Sequence, residues 1–202
     1  MITRVRNIYL PALASFALLL GGTAMFAQGE ANKKTEPVEK AATSTMTDTE
    51  FAKKAAEANM AEVKLGQLAE QKGTTDTVKD FGKRMVTDHN RAEENLKSAA
   101  SKDKITLPSV LDSKDQAVYE RLSRLSGEAF DRAYARDMVR DHRIDVAEFR
   151  HEANDGKSVT IKGFASQTLP TLEDHLKLAR EMNRDISAKN ISHTKSTSHT
   201  GA

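Results

Sequence analysis

Three segments of the chain set an acid directly before a histidine: MVTDH ends at His89, MVRDH at His142 and TLEDH at His175. Neutral imidazole suits Zn, Cu, Fe or Ni, and a nearby carboxylate either adds charge to the ligand set or hydrogen-bonds the ring that binds. One step along a helix turns the side chain by about 100°, so an acid and the histidine after it cannot reach the same point. The apolar stripes decide which of them faces inward, and in all three copies it is the histidine. A single histidine in such a stripe is ordinarily a core or boundary residue with a satisfied polar partner. Three on separate helices leave three readings open: a shared polar or metal-binding site, a hydrogen-bonded core cluster without metal, and coincidence.

The elements that carry these residues follow from apolar positions spaced three and four apart. Phe51, Ala55, Ala58, Leu65 and Ala69 predict a first helix from Asp48 to about Lys72, with Glu62 inside its stripe and Gly73 as its stop. Val78, Gly82, Met85, His89, Ala92, Leu96 and Ala99 predict a second from about Asp76, read as its N-cap, to about Ser101. A connection broken by Pro108 leads to a short helix at about 114–125. A third long helix, about 127–154, carries Ala135, Met138, His142, Val146 and Phe149 beside a stripe of Phe130, Tyr134, Asp137, Asp141, Ile144 and Glu148. The fourth, about 159–187, runs along Phe164, Thr168, Leu172, His175, Ala179, Met182 and Ile186, with Pro170 as a candidate bend. The expected fold is all-α: four long amphipathic helices in a bundle, with an extra short helix between the second and third.

Glu62, His89, His142 and His175 lie at comparable distances from the ends of their helices, to within a turn or so at ~1.5 Å per residue. One carboxylate and three imidazoles can therefore share a layer and hold a divalent metal such as Fe, Zn or Cu. Asp88, Asp141 and Asp174 sit one position off the stripes, as additional ligands or as supports for the rings. Glu148 and His151 spell Glu-x-x-His, the pair that di-iron bundles use twice; here it occurs once, near a helix end, and His151 is expected to be exposed.

Composition bounds the rest. The 202 residues include no Cys and no Trp, which removes disulfides, thiolate ligands and the usual lipoprotein anchor. Arg4 and Arg6, an apolar run from Ile8 to Leu20 and small residues through Ala27 read as a cleaved export signal over residues 1–27. The run is shorter than the ~20 residues of a spanning helix, so the periplasm is the expected destination, without stable membrane insertion. Once the two arginines leave, the 29 acidic residues are balanced by as many basic ones, and no excess charge attracts nucleic acid. Residues 28–47 have almost no large apolar side chain and read as a disordered linker; residues 188–202 read as a flexible tail that carries His193 and His199. A metal ion and a second copy of the chain remain as partners. No serine nucleophile motif, phosphate loop or zinc-protease motif is present.

The segments FAKKAAEANMAEVKLGQLAEQK, VKDFGKRMVTDHNRAEENLK, LSGEAFDRAYARDMVRDHRIDVAEF and LPTLEDHLKLAR resemble, in order and spacing, the bacterial envelope family known as domain of unknown function 4142, over about residues 49–181. The resemblance implies a ferritin-like helical bundle in an exported protein, often periplasmic or outer-membrane associated, whose function is not established. Glu62, Asp88, His89, Asp141, His142, Glu148 and His175 fall at the positions that match the family's recurring acid and histidine motifs. The paired Glu-x-x-His of true ferritins is missing, which puts ferroxidase activity in doubt, since fold does not carry function. The competing expectation is a non-enzymatic envelope protein, for stress tolerance or partner binding, whose buried His and Asp residues only set the packing.

Overall fold

The computed structural model describes residues 46–197, with side chains through residue 189. The segments read from the sequence as an export signal and, for the most part, as a linker, together with the last residues, His199 among them, lie outside the described part. Within it there are five helices and no strand: α1 Asp48–Lys72, α2 Asp76–Lys102, α3 Ser113–Ser123, α4 Gly127–Asp155 and α5 Val159–Thr197. The four long helices and the short one between α2 and α4 are those expected from the apolar spacing. None is long and apolar enough to cross a membrane.

Local chemistry sets the helix starts. At α1, Thr47 Oγ1 accepts from Glu50 N at 3.2 Å and Glu50 Oε2 accepts from Thr47 N at 2.8 Å, a reciprocal capping box. At α2 the cap is Thr75, whose side chain accepts from Val78 N, and not Asp76 as the sequence suggested. Asp76 instead lies in the first turn, where its charge faces the positive end of the helix dipole. At α4, Gly127 takes φ +60°, a left-handed conformation that a side chain would strain.

One difference from expectation concerns the end of α5. Pro170 lies within the helix, as the sequence reading placed it, and Leu169 and Leu172 on either side pack into the core. The helix runs on to Thr197, ten residues past the expected end.

Helix α1 packs along α2, α4 along α5, α2 against α5, and α1 against α4. Thr74, just after α1, donates through its backbone N to Asp131 near the start of α4. Asp48, at the start of α1, accepts from the Lys157 and Ser158 backbone between α4 and α5 at 3.0 and 2.7 Å. These ties make α1 and α5 run one way and α2 and α4 the other. The chain must therefore return along the bundle between α2 and α4, and α3, lying against α1 and α4, makes that return. Lys72 Nζ secures its far end by donating to the Ser123 and Leu125 carbonyls.

The α1–α2 pair is close because both helices present glycine where they cross. A Cβ on Gly66 would stand 2.6 Å from Gly82 O, and one on Gly82 would stand 2.7 Å from Gly66 O. The core falls into two apolar clusters. One gathers Leu65, Phe81, Met85, Phe130, Tyr134, Met138 and Met182; the other Phe51, Leu96, Val146, Phe149, Ile161, Phe164 and Leu172. On the long helices, where these clusters meet, lie the buried polar residues Asn59, Glu62, His89, His142 and His175.

A candidate metal centre in the polar layer

All three histidines are buried, at 3%, 0% and 1% exposure for His89, His142 and His175. Their ring centres are 5.8 Å apart for His89–His142, 5.4 Å for His89–His175 and 5.4 Å for His142–His175. An imidazole bonded at about 2.0–2.1 Å has its centre roughly 3.2 Å from the ion, so three rings spread around one ion have centres about 5.2–5.5 Å apart. The observed triangle is that size, and one ligand atom from each ring lies within 4.8 Å of the others.

Each ring makes one hydrogen bond, and the acceptor fixes its tautomer. His142 Nδ1 donates to the Met138 carbonyl at 3.0 Å. His175 Nε2 donates to Asp88 Oδ2 at 2.8 Å. His89 Nδ1 donates to Asn59 Oδ1 at 3.0 Å, and Asn59 in turn donates from Nδ2 to Glu93. The other nitrogens, His89 Nε2, His142 Nε2 and His175 Nδ1, are therefore lone-pair acceptors, and all three are buried without a hydrogen-bond partner among the described residues.

The rings are neutral at ordinary pH, as metal ligands must be. Burial, followed by the neighbouring imidazoles, holds His89 well below its usual range. Burial and then His175 bring His142 down to about 3. Burial also lowers His175, outweighing the opposing hydrogen bond to Asp88. An orphaned buried polar atom costs about 1–3 kcal/mol, so three of them on one cluster of rings burden the fold unless something satisfies them. A cation does so, and the donor set fits one.

The acids of the repeated pairs are distributed differently. Asp88 serves the histidine of another helix, and Arg84 bridges it to Asp174 at 3.3 and 2.6 Å. Asp141 pairs with Arg140 at 2.9 Å. Glu148 pairs with Lys54 across to α1. His151 is exposed and faces Asp155 at 3.0 Å.

Glu62, 3% exposed, stands near Nδ1 of His142, with Oε1 at 3.9 Å. It falls in a second group, with His142 and Asp145. Burial, then the charges of Asp145 and Asp141, raise it well above the usual carboxyl range.

Two of these participants escaped the sequence reading. Asn59 is one turn before Glu62 on the same face, and Asp145 is one turn after His142. Extending each site residue by three or four positions would have found both.

A model of the family described as domain of unknown function (DUF4142) matches residues 33–182, and the chain belongs to that family. No curated protein sequence matches it. Among solved structures it is similar to a DUF305 fragment from Deinococcus radiodurans, at 14% identity and TM-score 0.60, covering 71% of this chain and 97% of that one. It is also similar to CopM in the Cu(I)-bound form, at 14% identity and TM-score 0.58, covering 70% and 98%. CopM in the Cu(II)-bound form gives 14% and 0.59, covering 69% and 97%. These likenesses establish a shared helical fold.

Proposed function

We propose that this DUF4142 protein is an exported metal-binding bundle. His89 Nε2, His142 Nε2 and His175 Nδ1 are the ligands, and Asn59, the Met138 carbonyl and Asp88 hold the rings. The observation that carries this reading is the cluster of three buried imidazoles with ring centres 5.4–5.8 Å apart, each with one nitrogen hydrogen-bonded and the other buried without a partner. Outer partners of that kind orient a ring and raise its basicity toward a metal.

Of the metals compatible with imidazole, copper and zinc fit a nitrogen-only set best. Iron more commonly adds carboxylates, and Glu62 lies on the wrong side of His142 to complete such a set without moving. Affinity among divalent ions peaks at copper, and the copper-bound forms of CopM share the fold. The periplasmic location rests on the basic, apolar and small-residue succession at the N-terminus. Binding, storage or delivery of the ion needs no reaction.

A structural reading is favoured by one observation: every ring already has a hydrogen bond, so half of the cluster is satisfied without an ion. Dialysis of apoprotein against copper or zinc, followed by elemental analysis, separates the two. The metal reading expects one ion retained per chain, and none by His89→Ala/His142→Ala. Equal retention by that double variant would overturn it. Elemental analysis of protein isolated from its native envelope identifies the ion.

A further inference from the structure

On the other side of His142, a cavity of about 110 Å³ opens between α1, the start of α3 and α4. That volume accommodates an ion and several waters. Its lining includes Glu57, Glu62, Asp115, Asp141, Asp145 and Glu148, against Lys54 and Lys114. Lys54 is taken by Glu148 and Asp141 by Arg140. Among the described residues, no lysine or arginine lies within ion-pair distance of Glu62, Asp115 or Asp145.

Acids around a cavity are common without a ligand. The independent observation here is Glu62, 3% exposed, which lines the cavity and whose Oε2 is buried with no hydrogen-bond partner. Burial and then the surrounding carboxylates raise Asp145 to about 8, against the charge of Lys54, and Asp115 above its usual value, against that of Lys114. His142 cannot act as a ligand on this side, because its Nδ1 hydrogen is committed to Met138 O.

We propose that this cavity is a second cation site, separate from the imidazole centre, in which Glu62 and Asp145 bind a hard, partly hydrated divalent ion through oxygen alone. Two carboxylates and room for water describe the coordination of Mg²⁺ and similar ions, which dehydrate reluctantly. The surrounding Asp115, Asp141 and Glu148 reach the ion through its waters. The chain then sorts ions by chemistry on the two sides of one histidine, nitrogen ligands for a borderline metal and oxygen ligands for a hard one.

Mn²⁺ is the probe, followed by electron paramagnetic resonance and its nuclear modulation on the whole chain. One Mn²⁺ per chain is expected, with water-proton coupling and no imidazole-nitrogen coupling. Asp145→Asn and Glu62→Gln, both near-isosteric and checked for retained helicity, are each expected to weaken it about tenfold or more. His89→Ala is expected to leave Mn²⁺ binding unchanged while it abolishes copper or zinc retention, so the two centres fail independently. The proposal is overturned by no Mn²⁺ binding, as for a cavity that holds only water, by equal binding in both carboxyl variants, or by nitrogen coupling, which would put the ion among the imidazoles.

Discussion

At the level of single residues, the nitrogen left free on each ring decides what the polar layer can bind. Asp88 decides this for His175, across 87 positions of sequence, by accepting from Nε2 and leaving Nδ1 bare. Asp88→Ala frees the ring to flip or change tautomer. Copper or zinc affinity by competition titration is expected to fall about 10–100-fold with the fold intact. Protonation gives a second handle, and its two components have opposite sign. The histidines are depressed below their unfolded value of about 6.5. The stability they lend is full above that value and drains away as pH falls toward about 3, where His142 titrates. Asp145, raised to about 8, lends stability that is full below about 4 and is lost as pH rises through 8. In chelator, His142→Leu is thus expected to flatten the drop in Tm between pH 6.5 and 4. Asp145→Asn is expected to gain Tm relative to the parent progressively from pH 5 to 8. A parallel pair of curves over either window would contradict the corresponding shift.

Among the elements, the α1–α2 crossing is the most exacting. Alanine is the better helix former by about 1 kcal/mol, yet its Cβ at Gly66 meets the Gly82 carbonyl at 2.6 Å, and overpacking against backbone costs about 1–3 kcal/mol. The clash wins, so Gly66→Ala and Gly82→Ala are each expected to lower the denaturation midpoint, and a rise would show that the helices slide apart freely. Gly82 was visible in the apolar rhythm of α2, because a small residue can hold a stripe position; that it marks a contact with Gly66 was not, since periodicity describes one helix at a time. For the same reason the long helices were legible almost to the residue, whereas the end of α5 was not. Its last turns carry little apolar signal.

Across the whole molecule, the inward histidines could be read from phase and their common level from helix lengths. Which side of His142 faces which neighbour could not, because a stripe says inward without saying toward what. That is why Glu62, on the same layer, stands behind His142 beside Asp145 instead of completing a four-ligand set, and why the acids of the repeated pairs serve other helices or arginines. A layer of polar atoms between two apolar clusters also links ligand to fold. An ion bound only by the folded chain adds about 2.7 kcal/mol at a hundredfold excess over Kd. Wild type should therefore gain several degrees in Tm with copper or zinc, and His89→Ala/His142→Ala should not; an equal gain in both would locate the ion elsewhere.

The central claim is that three imidazole nitrogens converge on one ion. Anomalous diffraction at the metal edge, from crystals of the copper- or zinc-loaded protein, tests it directly. One peak is predicted at about 2.0–2.1 Å from His89 Nε2, His142 Nε2 and His175 Nδ1. A layer without a peak, its ring nitrogens hydrogen-bonded to water or to each other, would contradict it.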